Sequence, residues 1–443
     1  MERATQVSEM YQVFRGEPLK IEDLDAYFVD TTKARGTENA RKRMARLLNR
    51  NIGNPLQILF VGYKGCGKST ELNYLQKDLQ DDFLVVNFSV IRELDVNQIS
   101  HTELLIVAME RIFSMVEEAG MSGYVSKGYL KSIQAWIQQR EIEEIREKYN
   151  ISAAIEAGAG IDIPFLQAFF AKLKFSAKTS ASLKEKIKTN LEPKLSDLID
   201  YCNDLIREVR SALQEVGKKD LLIVIEDLDK IPLSEAKDLF YDHIHQLTLL
   251  ETHVIFTFPI ALYHSIRFNS IKAYFTDLRE LPMIKVKEKD GTPSQEGMDT
   301  LREIVAQRCD LSIFEEPDVL DQLIRDSGGC LRDLFMMIFE AAEHALDQQR
   351  ETISHDNRFR ALQKLKREYD NSIAENRENG QLYTVDQYYD ALTQLMNSTD
   401  KKPENTEVVM HLRQSLAILG YNGEGWCDVH PIVKEILHER GKI

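Results

Sequence analysis

Gly62-Tyr63-Lys64-Gly65-Cys66-Gly67-Lys68-Ser69 is the stretch that decides how this chain folds. It fits G-x-x-x-x-G-K-[ST] at every position. The spacing has a mechanical reading. Glycines let the backbone wrap an anion with no Cβ in the way. The helix that follows aims free N–H groups and a partial positive charge at the same point. Lys68 is the expected partner of the β- and γ-phosphates, and Ser69 the expected Mg²⁺ ligand. Gly62, Tyr63, Lys64, Gly65, Cys66, Gly67 and Thr70 complete the expected cradle. The pattern predicts ATP with Mg²⁺ as the ligand.

Outward from this loop, five apolar runs read as strands of a buried parallel sheet: residues 56–61, 83–88, 221–225, 254–258 and 282–286. Helical periodicity separates them, so the predicted class is α/β. The sheet would be a five-stranded parallel P-loop NTPase sheet with a helical insertion, a small helical lid and a winged-helix-like C-terminal unit. The gap between the second and third runs exceeds one crossover helix and places the insertion at about residues 120–195. Within it, residues 152–179 hold Gly158, Gly160 and Pro164 and read as a β-hairpin. Lys184, Lys186, Lys188 and Lys194 read as a solvated helix face or as a contact for an anionic partner. Residues 291–297 read as a linker and 349–380 as a polar stretch, with helices over 298–309, 317–326 and 331–348. Asn422-Gly423 is a hairpin signal, and Pro431 suits the first turn of a last helix. The expected units are 1–290, 291–355 and 356–443.

The run 221–225 ends in Glu226-Asp227-Leu228-Asp229. Ligands of open α/β sheets sit at the carboxyl ends of the strands. One carboxylate there would hold Mg²⁺ through water, and the next would orient or deprotonate the attacking water. Thr257, a hydroxyl inside an apolar strand, either senses the γ-phosphate or is satisfied by backbone. Arg332 opens a helix after Ser327-Gly328-Gly329-Cys330-Leu331 and would reach the γ-phosphate from the lid.

These residues together resemble the AAA+ class, and within it the origin-recognition initiator ATPases and the STAND switch NTPases. The stretch from Phe60 to Leu72 also resembles a group of bacterial AAA-type ATPases associated with anti-phage or other conflict systems. The likeness implies an ATPase, a homo-oligomer or a protein effector partner, and an arginine finger. Arg267 and Arg279 are the candidates for the finger by position, with Arg279 favoured. One departure matters. The usual order at the strand end is Asp then Glu, and here it is Glu226 then Asp227, so the resemblance implies Glu226 for Mg²⁺ and Asp227 for the water. The reversed reach of the two acids predicts slow hydrolysis, which suits a switch. A DNA-binding loader and a non-hydrolysing ATP-bound scaffold are the alternatives.

The bulk composition narrows these classes. The 443 residues carry 56 Lys+Arg against 71 Asp+Glu, a net charge of −15. An acidic chain repels nucleic acid at long range. Residues 356–443 carry twelve basic and fourteen acidic side chains, although Arg358, Arg360, Lys364, Lys366 and Arg367 cluster. DNA is therefore a disfavoured partner. The five cysteines are widely spaced and form no metal or disulfide pattern. Neither a signal peptide nor an apolar run of the roughly 20 residues that span a membrane is visible, and the cytoplasm is the expected location.

Overall fold

The computed structural model describes residues 2–139, 162–179, 184–185, 195–378, 380–421 and 425–443. An N-terminal segment of short turns leads into α1 (Ala40–Arg50), then β1 (Gln57–Gly62), the glycine loop and α2 (Lys68–Leu79). β2 (Phe83–Ser89) follows, with α3 (His101–Glu118), α4 (Lys127–Gln139), α5 (Ile163–Thr179) and α6 (Leu195–Ala212) before the chain returns as β3 (Asp220–Glu226). β4 (His253–Pro259) and β5 (Asp277–Leu281) complete the sheet.

All five strands are parallel, in the order β2-β3-β4-β1-β5. The expected architecture is present: a five-stranded parallel sheet with helical insertions and a helical C-terminal part. Every residue of β1, β3 and β4 is buried, as parallel strands covered on both faces must be. α6 packs on β3, and α1 packs on β5 and α2. The order sets the chemistry. β4 alone separates β1 from β3, so the loops leaving β1 and β3 face each other across the end of β4.

Four expectations fail. The fifth strand is Asp277–Leu281, not 282–286. As an edge strand it is only half-buried and polar, while Pro282 has no N–H for a ladder. The hairpin expected over 152–179 is replaced, in its described part, by α5. Ile163, Leu166, Phe170 and Leu173 form its buried stripe, Asp162 caps it by accepting from the Phe165 N–H at 2.9 Å, and Pro164 sits in the first turn, where no N–H is needed. Residues 152–161 lie outside the described residues, as do Lys186, Lys188 and Lys194. Lys184 is not a free solvated charge: it pairs with Glu103 at 3.0 Å. The linker expected at 291–297 is a tight turn, closed by Glu288 N–H to Thr292 O at 2.7 Å, that enters α7 (Gln295–Ala306).

α8 (Pro317–Asp326) and α9 (Leu331–Asp347) follow, close to their expected bounds. The polar stretch 349–380 is largely α10 (His355–Ser372), started by a Ser354/Asn357 capping box and buried through Ala361, Leu362, Leu365 and Tyr369. A small hairpin of β6 (Asn376–Glu378) and β7 (Gln381–Tyr383) leads to α11 (Val385–Asn397) and α12 (Glu407–Gln414). β8 (Ile418–Tyr421) and β9 (Trp426–Val429) pair antiparallel, and α13 (Pro431–Glu439) begins on Pro431. The Asn422-Gly423 signal between β8 and β9 lies outside the described residues. Most buried apolar side chains from Ala4 to Leu437 form one large cluster, and Leu19, Leu24 and Tyr27 form a second, packed against Phe28 and Tyr74. Among the described residues, no helix is long and apolar enough to cross a membrane.

Candidate functional site

The glycine loop leaves β1 with Gly65 and Gly67 at φ +77° and +107°, a region glycine enters without a Cβ penalty. Gly65 has a second constraint. A Cβ there would stand 2.6 Å from the Cβ of Arg332, so the start of α9 lies directly on the loop. The Arg332 N–H donates to Gly65 O at 3.3 Å. Arg332 makes no ion pair among the described residues, and its positive charge works against protonation of both Lys64 and Lys68.

Lys68 is buried at the head of α2. Its ammonium donates to Gly62 O at 2.9 Å and Tyr63 O at 2.8 Å, and lies 2.9 Å from Asp229 Oδ2. Burial works to lower the Lys68 pKa; the Asp229 carboxylate overrides it and leaves the ammonium above its ordinary value. Burial lowers the Lys64 ammonium, with Asp229 opposing.

At the end of β3 the acids diverge. Glu226 is buried, and burial pushes its carboxyl up; hydrogen bonds from Ser69 and Asn87 oppose this, the Asn87 bond at 2.8 Å. Asp227 adopts φ +69°, a left-handed conformation that Asp tolerates better than most residues. It accepts from Ser89 Oγ and pairs with Lys230 at 2.5 Å. Burial would raise its carboxyl, but Lys230 and Ser89 hold it below the usual range. The chain then turns so that Asp229 faces Lys68. Thr257 on β4 sets that turn: its hydroxyl donates to Ile225 O at 3.3 Å and accepts from Leu228 N at 3.0 Å. Its hydrogen bonds thus run to the backbone of β3 and of the loop after it, the second of the two readings open for it.

The loop forms one end of a cleft of about 910 Å³, its solvent mouth included. Gly65, Gly67, Lys68, Ser69, Thr70, Asp229 and Arg332 line the polar end. Leu19, Tyr27, Phe28, Val29, Ile304 and Phe335 supply the cleft's apolar lining, with the buried Arg308 guanidinium 4.7 Å over the Phe335 ring. An apolar pocket with a few convergent polar groups is the ordinary form of a small-ligand site. Thr70 Oγ1 accepts from the Leu19 N–H at 3.3 Å, tying the N-terminal segment to the loop.

The structure brings together Gly65, Gly67, Lys68, Ser69, Glu226 and Arg332. Tyr63 and Cys66 are buried beneath the loop. Arg279 stands elsewhere, within β5 opposite Phe60 and bonded to Asp277 at 2.7 Å. Arg267 is exposed, stacked 4.0 Å over the Tyr241 ring.

Three contributions escaped the sequence reading. Asp229 was visible only as the last acid of a cluster. Arg35 donates to Thr31 Oγ1 at 2.7 Å, to Cys66 O at 2.6 Å and to Pro282 O, bracing the loop from below. The apolar wall comes from residues 19–29, where short turns give no periodic signal.

No family model matches the chain, and no curated protein matches it. Several solved structures are similar in fold. The Aeropyrum pernix ORC1 protein in complex with DNA is 12% identical, covering 91% of this chain and 92% of that one with a TM-score of 0.40. A Walker-type ATPase of Pyrococcus abyssi is 13% identical, covering 93% and 99% with a TM-score of 0.43. A single-substitution variant of Thermotoga maritima RuvB is 10% identical, covering 93% and 98% with a TM-score of 0.35. These likenesses carry no argument about activity, which has to come from the site itself.

Proposed function

We propose that this protein is an ATP-binding, slowly hydrolysing switch ATPase that controls its own assembly or a protein effector. The observation that carries the reading is the convergence of Lys68, Ser69, Glu226 and Arg332 on a positive-φ glycine loop, in a cleft that Leu19, Tyr27, Phe28 and Phe335 also line. Helix-terminal N–H groups, an ammonium and a guanidinium suit a polyphosphate. The apolar lining suits a base. Ser69 and Glu226 are hard oxygen donors held side by side, the kind of set that takes Mg²⁺ through few protein ligands. Mg²⁺ there would offset charge on the β- and γ-oxygens. Asp227, kept ionised by Lys230 and Ser89, would orient water. Its short side chain is already engaged, which favours slow turnover.

On this reading the chain divides into a core to residue 290, a lid over 291–355 and a winged-helix-like unit over 356–443. Nucleotide would engage Arg332, whose backbone already packs on the loop, and an assembled neighbour would add an arginine. Arg267, with a side chain 55% exposed, is better free for that than Arg279. Control of a conflict-system effector is the setting the sequence resemblance suggests.

A DNA-binding loader is the second reading, and the cations argue against it. Arg358 pairs with Asp326 at 2.6 Å, Arg360 with Asp356 at 2.9 Å, Lys364 with Glu340 at 2.5 Å, and Lys366 with Glu439. Charges already paired within the chain release few counterions on DNA. Light scattering on a sizing column, with and without a slowly hydrolysed ATP analogue, tests the switch. A change in mass or scattering profile is expected, and no change in either rejects it. ATP-dependent retention of duplex DNA at low salt would instead support the loader.

A further inference from the structure

The second residue of the glycine loop does something the phosphate chemistry does not require. Tyr63 is fully buried, and its hydroxyl accepts from Arg413 Nη1 at 2.9 Å, across 350 residues of sequence. Arg413 is a buried cation on α12, in the C-terminal unit. β8 presses on the same hydroxyl: a Cβ at Gly420 would stand 2.8 Å from it. Gly420 O accepts from the Met283 N–H at 3.1 Å, which fixes β8 against the segment leaving β5.

The other two loops of the site are held by the same unit. Gln414 Nε2 donates to Ile231 O at 3.1 Å, two residues beyond Asp229. The Tyr421 hydroxyl donates to Gly328 O at 2.7 Å, in the turn before Arg332. The loop after β1, the acid loop after β3 and the lid turn are thus each bonded to residues 413–421.

Tyr63 faces both ways. Its carbonyl accepts from Lys68 at 2.8 Å and its hydroxyl from Arg413. A phosphate that draws Lys68 off that carbonyl acts on the residue that anchors the C-terminal unit. We infer that Tyr63–Arg413 is a latch coupling the phosphate loop to the C-terminal unit, so that nucleotide binding and loosening of α12 and β8 favour one another. This rests on the nucleotide-switch reading above. Coupling between two equilibria is reciprocal. If nucleotide loosens the latch, cutting the latch must tighten nucleotide.

Tyr63→Phe removes one hydroxyl and keeps the ring. Titrate the full-length wild type, Tyr63→Phe, Arg413→Met and Arg413→Lys with a fluorescent ATP analogue and Mg²⁺, and follow amide exchange across residues 407–421 with and without the analogue. Tyr63→Phe and Arg413→Met are expected to bind about fivefold to tenfold more tightly than wild type. Their nucleotide-free exchange at 407–414 should already match that of nucleotide-bound wild type. Arg413→Lys, which keeps a donor, should lie near wild type. A purely structural contact would weaken binding when cut. Equal or weaker binding by Tyr63→Phe, or exchange at 407–414 in wild type that ignores nucleotide, overturns the latch while leaving the ATP site standing. No binding by wild type removes the ATP site itself.

Discussion

Lys68 and Asp229 meet at 2.9 Å with side chains only 5% and 2% exposed, and the second oxygen of Asp229 has no hydrogen-bond partner among the described residues. A buried pair of this kind costs desolvation to form, and losing one partner strands the other. It also means that the lysine expected to meet phosphate is already engaged. Asp229 and an incoming phosphate compete for one ammonium.

Asp229→Asn should therefore lower the stability of the nucleotide-free protein by about 3 kcal/mol. Saturating MgATP should recover more of that loss than it adds to wild type, because phosphate takes over the lysine. Urea unfolding midpoints with and without MgATP measure both effects. Equal nucleotide-induced gains in the two proteins would count against the competition.

Thr257 offers a cleaner structural test. Its hydroxyl holds Ile225 O and Leu228 N, and Thr257→Val keeps the shape while leaving both buried groups without that partner. The expected cost is about 1–3 kcal/mol. Urea unfolding reads it directly. A change within error would mean that the turn carrying Asp227 and Asp229 is set by something else.

Asp220, at the start of β3, ties the site's central strand into the sheet. Burial would raise its carboxyl. His253, the N–H groups of Gly53 and Leu221, and Arg210 hold it down at about 2. A depressed carboxylate contributes stability above its unfolded pKa and loses it as pH falls through the folded one. The window runs from about pH 4 down to about 2, and the shift corresponds to roughly 2 kcal/mol. Asp220→Asn should cost that much at neutral pH and show a shallower loss across this acid window than wild type. Parallel acid limbs in the two proteins would contradict it.

Hydrolysis turns on Asp227. Wild type should release phosphate slowly, and Asp227→Asn should reduce release by about 10²-fold or more without weakening binding of a non-hydrolysed analogue. A malachite-green assay beside an analogue titration separates the two. Equal, near-zero release from both proteins would favour a scaffold that only holds ATP.

Much of this arrangement was legible in the sequence. β1 and β3 announced themselves because a strand buried on both faces must be apolar throughout. The loop between β1 and α2 was legible because phosphate binding restricts residue type at fixed spacing. Other parts had no local signature. β5 is a half-buried edge strand, so Asp277-Leu278-Arg279-Glu280 carries no apolar run. α5 is hidden by Gly158, Gly160 and Pro164, which suggest a hairpin, although Pro164 sits in the first turn of the helix. Leu19, Tyr27 and Phe28 reach the cleft only through the tertiary fold. No pattern in the chain links Tyr63 to Arg413.

The central claim is that ATP binds at the glycine loop, and isothermal titration with MgATP of wild type and Lys68→Ala tests it most directly. The account predicts saturable binding by wild type and a loss of about 10²-fold or more in Lys68→Ala, with the circular dichroism spectrum of the fold retained. No binding by wild type, or equal affinity in the two proteins, would contradict it.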